Sequence, residues 1–507
     1  MKRLFASSLV LWLAACGPAP LPPVATPAAN PGPLPTPKPR KDPLAEPPVS
    51  GITPSLSFPT VVHRALPSGL ALRVVPRRTL PIIELRLVFF SGMASDAAKP
   101  GLAGVAGELT KAGGAGAWNG EALLERAESL GADLSVLTDR DSTRVSLGVT
   151  TGDLEAALEI LAAVAMKPRF DAREFTKLRD REVERTRSAA KSSAAYAASM
   201  LLYRELFDVP TAIHPYSRYD ALPTELAKLT LADCKAWHKQ HMTPANAVLI
   251  VAGDVEADAF EKAAARAFEG WQGGKPEKPA FSEPRPDSER HLYLVDRPGS
   301  GQSQVLVGVL GPERQSKDWP SVAVLNQVLG GGVASRLFND VREKRSLAYS
   351  TNSSLEEPAH SPAPIVLSAG TQTDKAPHAV QALLENLAKM STSTPAAQEL
   401  EIASRFLSDS FLFRTETTGA IADMTAKLAV LALPDNYYDE YRKAVRSIDA
   451  SAARRHFNDD RVVVVVAGDA AKLGQRLTRF SKVVIVDPQK GFAPGKMLPM
   501  NASQPLD

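Results

Sequence analysis

One nine-residue pattern occurs twice. Ala247-Val248-Leu249-Ile250-Val251-Ala252-Gly253-Asp254-Val255 is echoed about 215 residues later by Val462-Val463-Val464-Val465-Val466-Ala467-Gly468-Asp469-Ala470. Each copy is a run of β-branched and aliphatic residues closed by Gly-Asp, which predicts a buried strand ending in a turn. An amphipathic helix precedes each, Leu231 to Gln240 in the first case and Ala450 to His456 in the second. Helix, strand and turn recurring at this spacing imply that a whole domain is duplicated. Length agrees: about 430 residues remain once the atypical ends are set aside, too many for one hydrophobic core.

The first half predicts strands at Leu70–Val75 and Ile82–Phe90. Helices follow at Gly101–Ala112, Glu121–Leu130 and Leu154–Ala165, with a hairpin of Ala132–Thr138 and Ser142–Val149 turning at Asp139-Arg140-Asp141. Hairpins mixed with helix pairs indicate an α+β fold, with two homologous domains, each a mostly antiparallel sheet covered by helices. The domains are expected at 56–270 and 290–487. A Gly-, Pro-, Lys- and Glu-rich linker at 271–289 joins them, and 488–507 reads as a loose tail.

The N-terminus is different. Lys2 and Arg3 precede an apolar run, Leu4 to Leu13, too short to span a bilayer but suited to a secretory signal. It ends in Leu13-Ala14-Ala15-Cys16, which resembles a bacterial lipobox, so residues 1–16 are expected to be a lipoprotein signal with Cys16 the lipidated residue. Residues 17–55 hold a proline-rich stretch, with thirteen of the chain's 41 prolines between Gly17 and Gly51. Such a stretch favours extended polyproline geometry and reads as a tether. These features place the protein in the bacterial cell envelope, anchored through lipid and facing the periplasm. Gly17 rather than Asp after the cysteine favours the outer membrane over the inner. Only Cys234 remains as a second cysteine, so no intrachain disulfide is expected; it reads as a small buried side chain on its helix. A net charge of +3, with basic and acidic residues interleaved, argues against nucleic acid as a partner.

Several motifs in order resemble the pitrilysin, insulinase and mitochondrial-processing-peptidase family. They are Pro67-Ser68-Gly69-Leu70, Phe89-Phe90-Ser91-Gly92, Gly101-Leu102-Ala103, His214-Pro215-Tyr216 and Pro244-Ala245-Asn246. In the second half they are Leu329-Gly330-Gly331-Gly332, Ser335-Arg336-Leu337-Phe338 and Val341 to Ser350. The resemblance spans roughly residues 57–485 and implies a half-clamshell of two like units, two such halves enclosing a peptide chamber. Active members carry His-x-x-Glu-His after Gly-Leu-Ala: imidazoles at i and i+4 share a helix face and grip Zn²⁺, and the Glu serves as base. Here Gly104 stands at the first His, Gly107 at the base and Glu108 at the second His; Glu184 or Arg185 falls where the third ligand belongs. Two carboxylates without imidazole suit zinc poorly. The pair His238 and His241 is spaced to reach one metal, but no Glu or Cys lies suitably beside it, and it reads as an exposed polar face.

What the resemblance implies to be kept is Arg342 and Tyr349. The matching family residues bind substrate carbonyls and stabilise the developing oxyanion. Read without the family, Arg342 would pair with Glu343 and Tyr349 would be an edge-strand residue. Gly330 to Gly332 permit a close backbone approach or a helix C-cap. The expectation is a subunit without a cofactor of its own, which binds peptides beside a homologous zinc-bearing partner. The alternatives are an inert scaffold subunit and a stand-alone peptide-binding lipoprotein.

Overall fold

The computed structural model describes residues 57–96, 98–209, 213–284, 291–458 and 461–506. The signal, Cys16 and the proline-rich tether lie outside the described residues. Two mixed sheets, each flanked by helices, make up the folded unit Ser55–Asp507, so the α+β expectation holds.

The first sheet takes β1 (Val62–Ala65), β2 (Ala71–Pro76), β3 (Ile82–Phe89), β4 (Ser135–Thr138), β5 (Thr143–Thr150) and β6 (Ala247–Gly253) in the order β1-β2-β6-β3-β5-β4. The second takes β7 (His291–Asp296), β8 (Gln302–Glu313), β9 (Ala348–Leu355), β10 (Pro362–Gln372), β11 (Val463–Gly468), β12 (Lys482–Val486) and β13 (Pro494–Leu498) in the order β13-β12-β7-β11-β8-β10-β9. The duplication is exact in topology over five strands. β2-β6-β3-β5-β4 maps onto β7-β11-β8-β10-β9, with one parallel pair, β2·β6 or β7·β11, and antiparallel pairs beyond it. The echoed segments are the matched central strands β6 and β11. The parallel pairs make each sheet mixed. Residues after Val486 are not a loose tail: β13 pairs antiparallel with β12 as an edge strand.

Central strands without polar alternation must be covered on both faces. In β6 every residue is buried. Leu249 and Val251 join the core under helices Leu102–Ala112, Leu154–Met166 and Ala257–Ala267, while Val248 and Ile250 face the other way. That other face is covered by helix Thr418–Val430 from the second half, through Ala426 and Ala429. The exchange is reciprocal. Helix Ala194–Leu206 of the first half seats Ala197, Ala198, Leu201, Leu202 and Leu206 against Leu306, Val463, Val465 and Ala467 of the second sheet. Each buried leucine contributes about 1.5–3 kcal/mol by leaving water. The two halves are therefore fastened by swapped helices.

Candidate functional site

Helix Leu102–Ala112 starts where Gly101 (φ 83°) turns the chain, and the Asp96 carboxylate accepts hydrogen bonds from the Gly101 and Ala103 amides at 2.7 and 2.6 Å. Burial raises the Asp96 pKa to about 7 against the opposing pull of those bonds. Two turns of this helix carry the positions where a metal site would lie. Gly104 looks onto open space: a Cβ there would meet nothing within 4 Å. Gly107 is closed in, since a Cβ would stand 2.8 Å from Thr138 Oγ1 and 3.2 Å from Thr143 Cγ2, both on the β4–β5 hairpin. Thr138 is held there by hydrogen bonds to Thr143 Oγ1 (3.2 Å) and the Ala103 carbonyl (3.5 Å). Glu108 pairs with Lys111 one turn on, at 3.2 Å. Glu184, on helix Ala172–Ser192, pairs with Arg187 at 2.6 Å and is exposed; Arg185 bridges Glu182 and Asp220. Among the described residues no three His, Cys, Asp or Glu side chains converge to hold a metal. The donors present do not fit zinc.

His238 and His241 are not an exposed polar face. His241 is buried, stacks on Trp237 and bonds through Nδ1 to Ser91 Oγ at 3.0 Å; Asn246 Nδ2 donates to the same hydroxyl at 3.0 Å. His238 Nε2 lies 2.8 Å from the Ala165 carbonyl, with its ring edge-on to Phe170. The two imidazoles point to different partners and tie the helix to neighbouring segments. Cys234 is fully buried, as expected, and burial pushes its thiol up to about 12.

Arg342 and Tyr349 are brought together. Arg342 sits in a π-helical segment, Phe338–Lys344, with its guanidinium carbon 4.8 Å from the Phe338 ring centre and 5.2 Å from that of Tyr349. A pairing with Glu343 at 3.5 Å is also present. π-turns are rare and cluster at functional sites. Tyr349 is 85% exposed on β9, the outer strand of its sheet. The register explains this: Thr371 faces Ala348 but Gly370 faces Ser350, so Tyr349 is the extra residue of a β-bulge. Ala348 therefore stays in the core while Ser350 turns outward. The close approach predicted for the glycine run is real at Gly330, where a Cβ would stand 2.2 Å from the Ser353 amide; Gly331 is the helix C-cap, so both readings hold at adjacent residues.

The sequence did not reveal how two turns meet. The β4–β5 turn and its counterpart in the second half, the β9–β10 turn, touch each other. Arg140 pairs with Glu356 at 3.0 Å and lies over the Tyr203 ring. Asp141 accepts from the buried Tyr216 hydroxyl and, at 3.1 Å, from the Ala359 amide; the His360 amide donates to Tyr216 at 3.2 Å. The Asp-Arg-Asp turn and the His-Pro-Tyr motif were each visible in sequence, but nothing local linked them.

Residues 81–213 match the family profile described as insulinase, peptidase family M16, and residues 228–407 match the profile described as the peptidase M16 inactive domain. Together they cover more than half of the chain. The chain belongs to peptidase family M16. An uncharacterised zinc protease of Mycobacterium tuberculosis is 29% identical over 237 residues, 46% of this chain and 53% of that protein. The chain thus spans about half the length of that relative. A non-peptidase homologue from Helicobacter pylori is 27% identical over 334 residues, 62% of this chain and 74% of that protein. The crystal structure of a peptidase M16 inactive domain from Pseudomonas fluorescens superposes with a TM-score of 0.74 at 25% identity, over 81% of this chain and 98% of that one. Within M16, this chain keeps the duplicated sheets and has glycine, not imidazole or carboxylate, at positions 104 and 107 of the helix after Gly-Leu-Ala.

Proposed function

We propose that this M16 chain is the metal-free, peptide-binding subunit of a two-chain zinc peptidase in the bacterial cell envelope, tethered through lipid on Cys16. One combination carries the reading: glycine at both Gly104 and Gly107, beside an Arg342–Tyr349 pair aimed at solvent from a bulged sheet edge. Helix 102–112 carries no imidazole, and its one carboxylate, Glu108, is paired with Lys111, so hydrolysis requires a zinc-bearing homologue facing this chain. The Arg342 guanidinium is always charged and offers several donors, and the Tyr349 phenol offers one. Both donate to a peptide carbonyl oxygen, and both bonds strengthen as negative charge builds on that oxygen. A peptide lies along β9 as an added strand, since β9 has a partner on one side only.

The test is reconstitution with the zinc-motif homologue of the same genome. Neither chain alone cleaves a quenched-fluorescence peptide, the mixture does, and Arg342→Ala or Tyr349→Phe lowers cleavage by about 100-fold or more without preventing association. Cleavage by the mixture that ignores both substitutions would make this chain a scaffold. Peptide binding by the chain with no association at all would make it a stand-alone binding lipoprotein.

A further inference from the structure

The bulge at Tyr349 fixes which side chains of β9 face outward, and those beyond it form a surface of uniform chemistry. On the face of the second sheet that helix Ala194–Leu206 covers farther in, the register sets Ser350 beside Gly370, Asn352 beside Ser368 and Gln304 beside Gly370. Ser350 and Asn352 are exposed, and Ser368, Gly370 and Gln304 are half-buried. None of these residues is ionisable. Gly370 leaves a shallow floor, as a Cβ there would stand 2.9 Å from Ser350 Oγ. One hydrogen bond gives this wall a direction: Ser368 Oγ donates across the strands to Asn352 Oδ1 at 2.7 Å. With its oxygen engaged, the exposed Asn352 carboxamide offers Nδ2 as a donor.

We infer that Asn352 is a third peptide-contacting donor, acting with Arg342 and Tyr349, and that the neutral wall around it selects extended peptides by backbone rather than by side-chain charge. The bulge sets Tyr349 beside Ser350, and Asn352 lies two residues beyond Ser350 on the same face, about 7 Å along the strand. Carbonyls two residues apart on a bound strand point to the same side at that spacing, so one peptide reaches both Tyr349 and Asn352. A sheet edge supplies main-chain hydrogen bonds, and the side chains beside it set specificity. The inference rests on the peptide-binding reading of the Arg342–Tyr349 pair.

The experiment is fluorescence anisotropy of the full folded chain with a labelled, uncharged ten-residue peptide of alternating Ser and Val, and with analogues carrying Glu or Lys at the Ser positions. Asn352→Asp keeps size and the bond from Ser368 but replaces the donor by a charged acceptor. It is expected to weaken the neutral peptide about tenfold, and Asn352→Ala about two- to tenfold. Asn352→Asp should also turn the wild-type indifference between Glu and Lys analogues into a preference for Lys. Arg342→Ala is measured in parallel, and thermal melting of each variant confirms folding. If Arg342→Ala weakens binding while both Asn352 variants bind like the wild type, the inference is wrong and the proposed function stands. If Arg342→Ala binds like the wild type, the shared site does not exist and both readings fall. A strong wild-type preference for either charged analogue also overturns the neutral-wall selection.

Discussion

The exchange of helices between the halves can be tested where it is tightest. Gly308 of β8 lies under helix Ala194–Leu206: a Cβ there would stand 2.9 Å from Leu202 Cδ1 and 3.0 Å from Leu206 Cδ1. Ordinary carbon contacts sit at about 3.5–4.0 Å, and both leucines are fully buried, so neither can swing away. Gly308→Ala should therefore cost about 1–3 kcal/mol by overpacking. Leu202→Ala should cost about 2–5 kcal/mol, as lost burial plus the cavity left behind. In the double variant the contact with Leu202 is gone and the remaining one, with Leu206, can relax into the space Leu202 vacated, so most of the clash is relieved. Its cost should be close to that of Leu202→Ala alone, a favourable coupling of about 1–3 kcal/mol. Equilibrium urea unfolding of the four proteins gives these values, and with the halves interlocked each should unfold in one transition. Losses that add within about 0.5 kcal/mol would refute the contact and, with it, the claim that a first-half helix packs on the second sheet.

The zinc-motif glycines should differ. Gly104→Ala meets open space in a helix and should stabilise by about 0.5–1 kcal/mol, whereas Gly107→Ala presses on Thr138 and Thr143 and should destabilise by about 1–3 kcal/mol; paired thermal melts decide. Burial lowers His214 and His241 to about 4, against about 6.5 in an unfolded chain, so between those values the unfolded state binds more protons. Their contribution is complete above about pH 6.5 and is lost as pH falls toward 4; the melting temperature should drop over that window, and less so in a His214→Gln, His241→Asn variant. The Cys234 thiol, buried and pushed up to about 12, should resist alkylation at pH 8 until urea unfolds the chain, as mass spectrometry would show.

Much of the fold was legible because local pattern carried it. Helices at Leu102–Ala112, Leu154–Met166 and Leu231–His241, and the hairpin β4–β5, fall within a few residues of expectation. The β6 and β11 echo is also the matched pair at the centre of the two sheets. What failed was information that is not local. Pro494–Leu498 has exposed residues and no alternation, so only its partner β12 makes it a strand. An apolar helix such as Ala194–Leu206 announces that it is covered, not that the other half's sheet covers it. His241 looked polar because residue type was read instead of neighbours; its Ser91 and Asn246 partners come from distant segments. At the site, glycine at 104 and 107 was readable, but not that the second is walled in by Thr138. Arg342 and Tyr349 were readable as a pair, while the bulge that exposes the phenol appears only in the register with β10.

The measurement that bears most directly on this account is metal content and peptide cleavage of the purified chain alone, then of the chain mixed with its zinc-motif homologue. The account predicts a substoichiometric trace of zinc and no cleavage alone, and cleavage on mixing that depends on Arg342. One zinc per isolated chain, with cleavage that needs no second subunit, would contradict it.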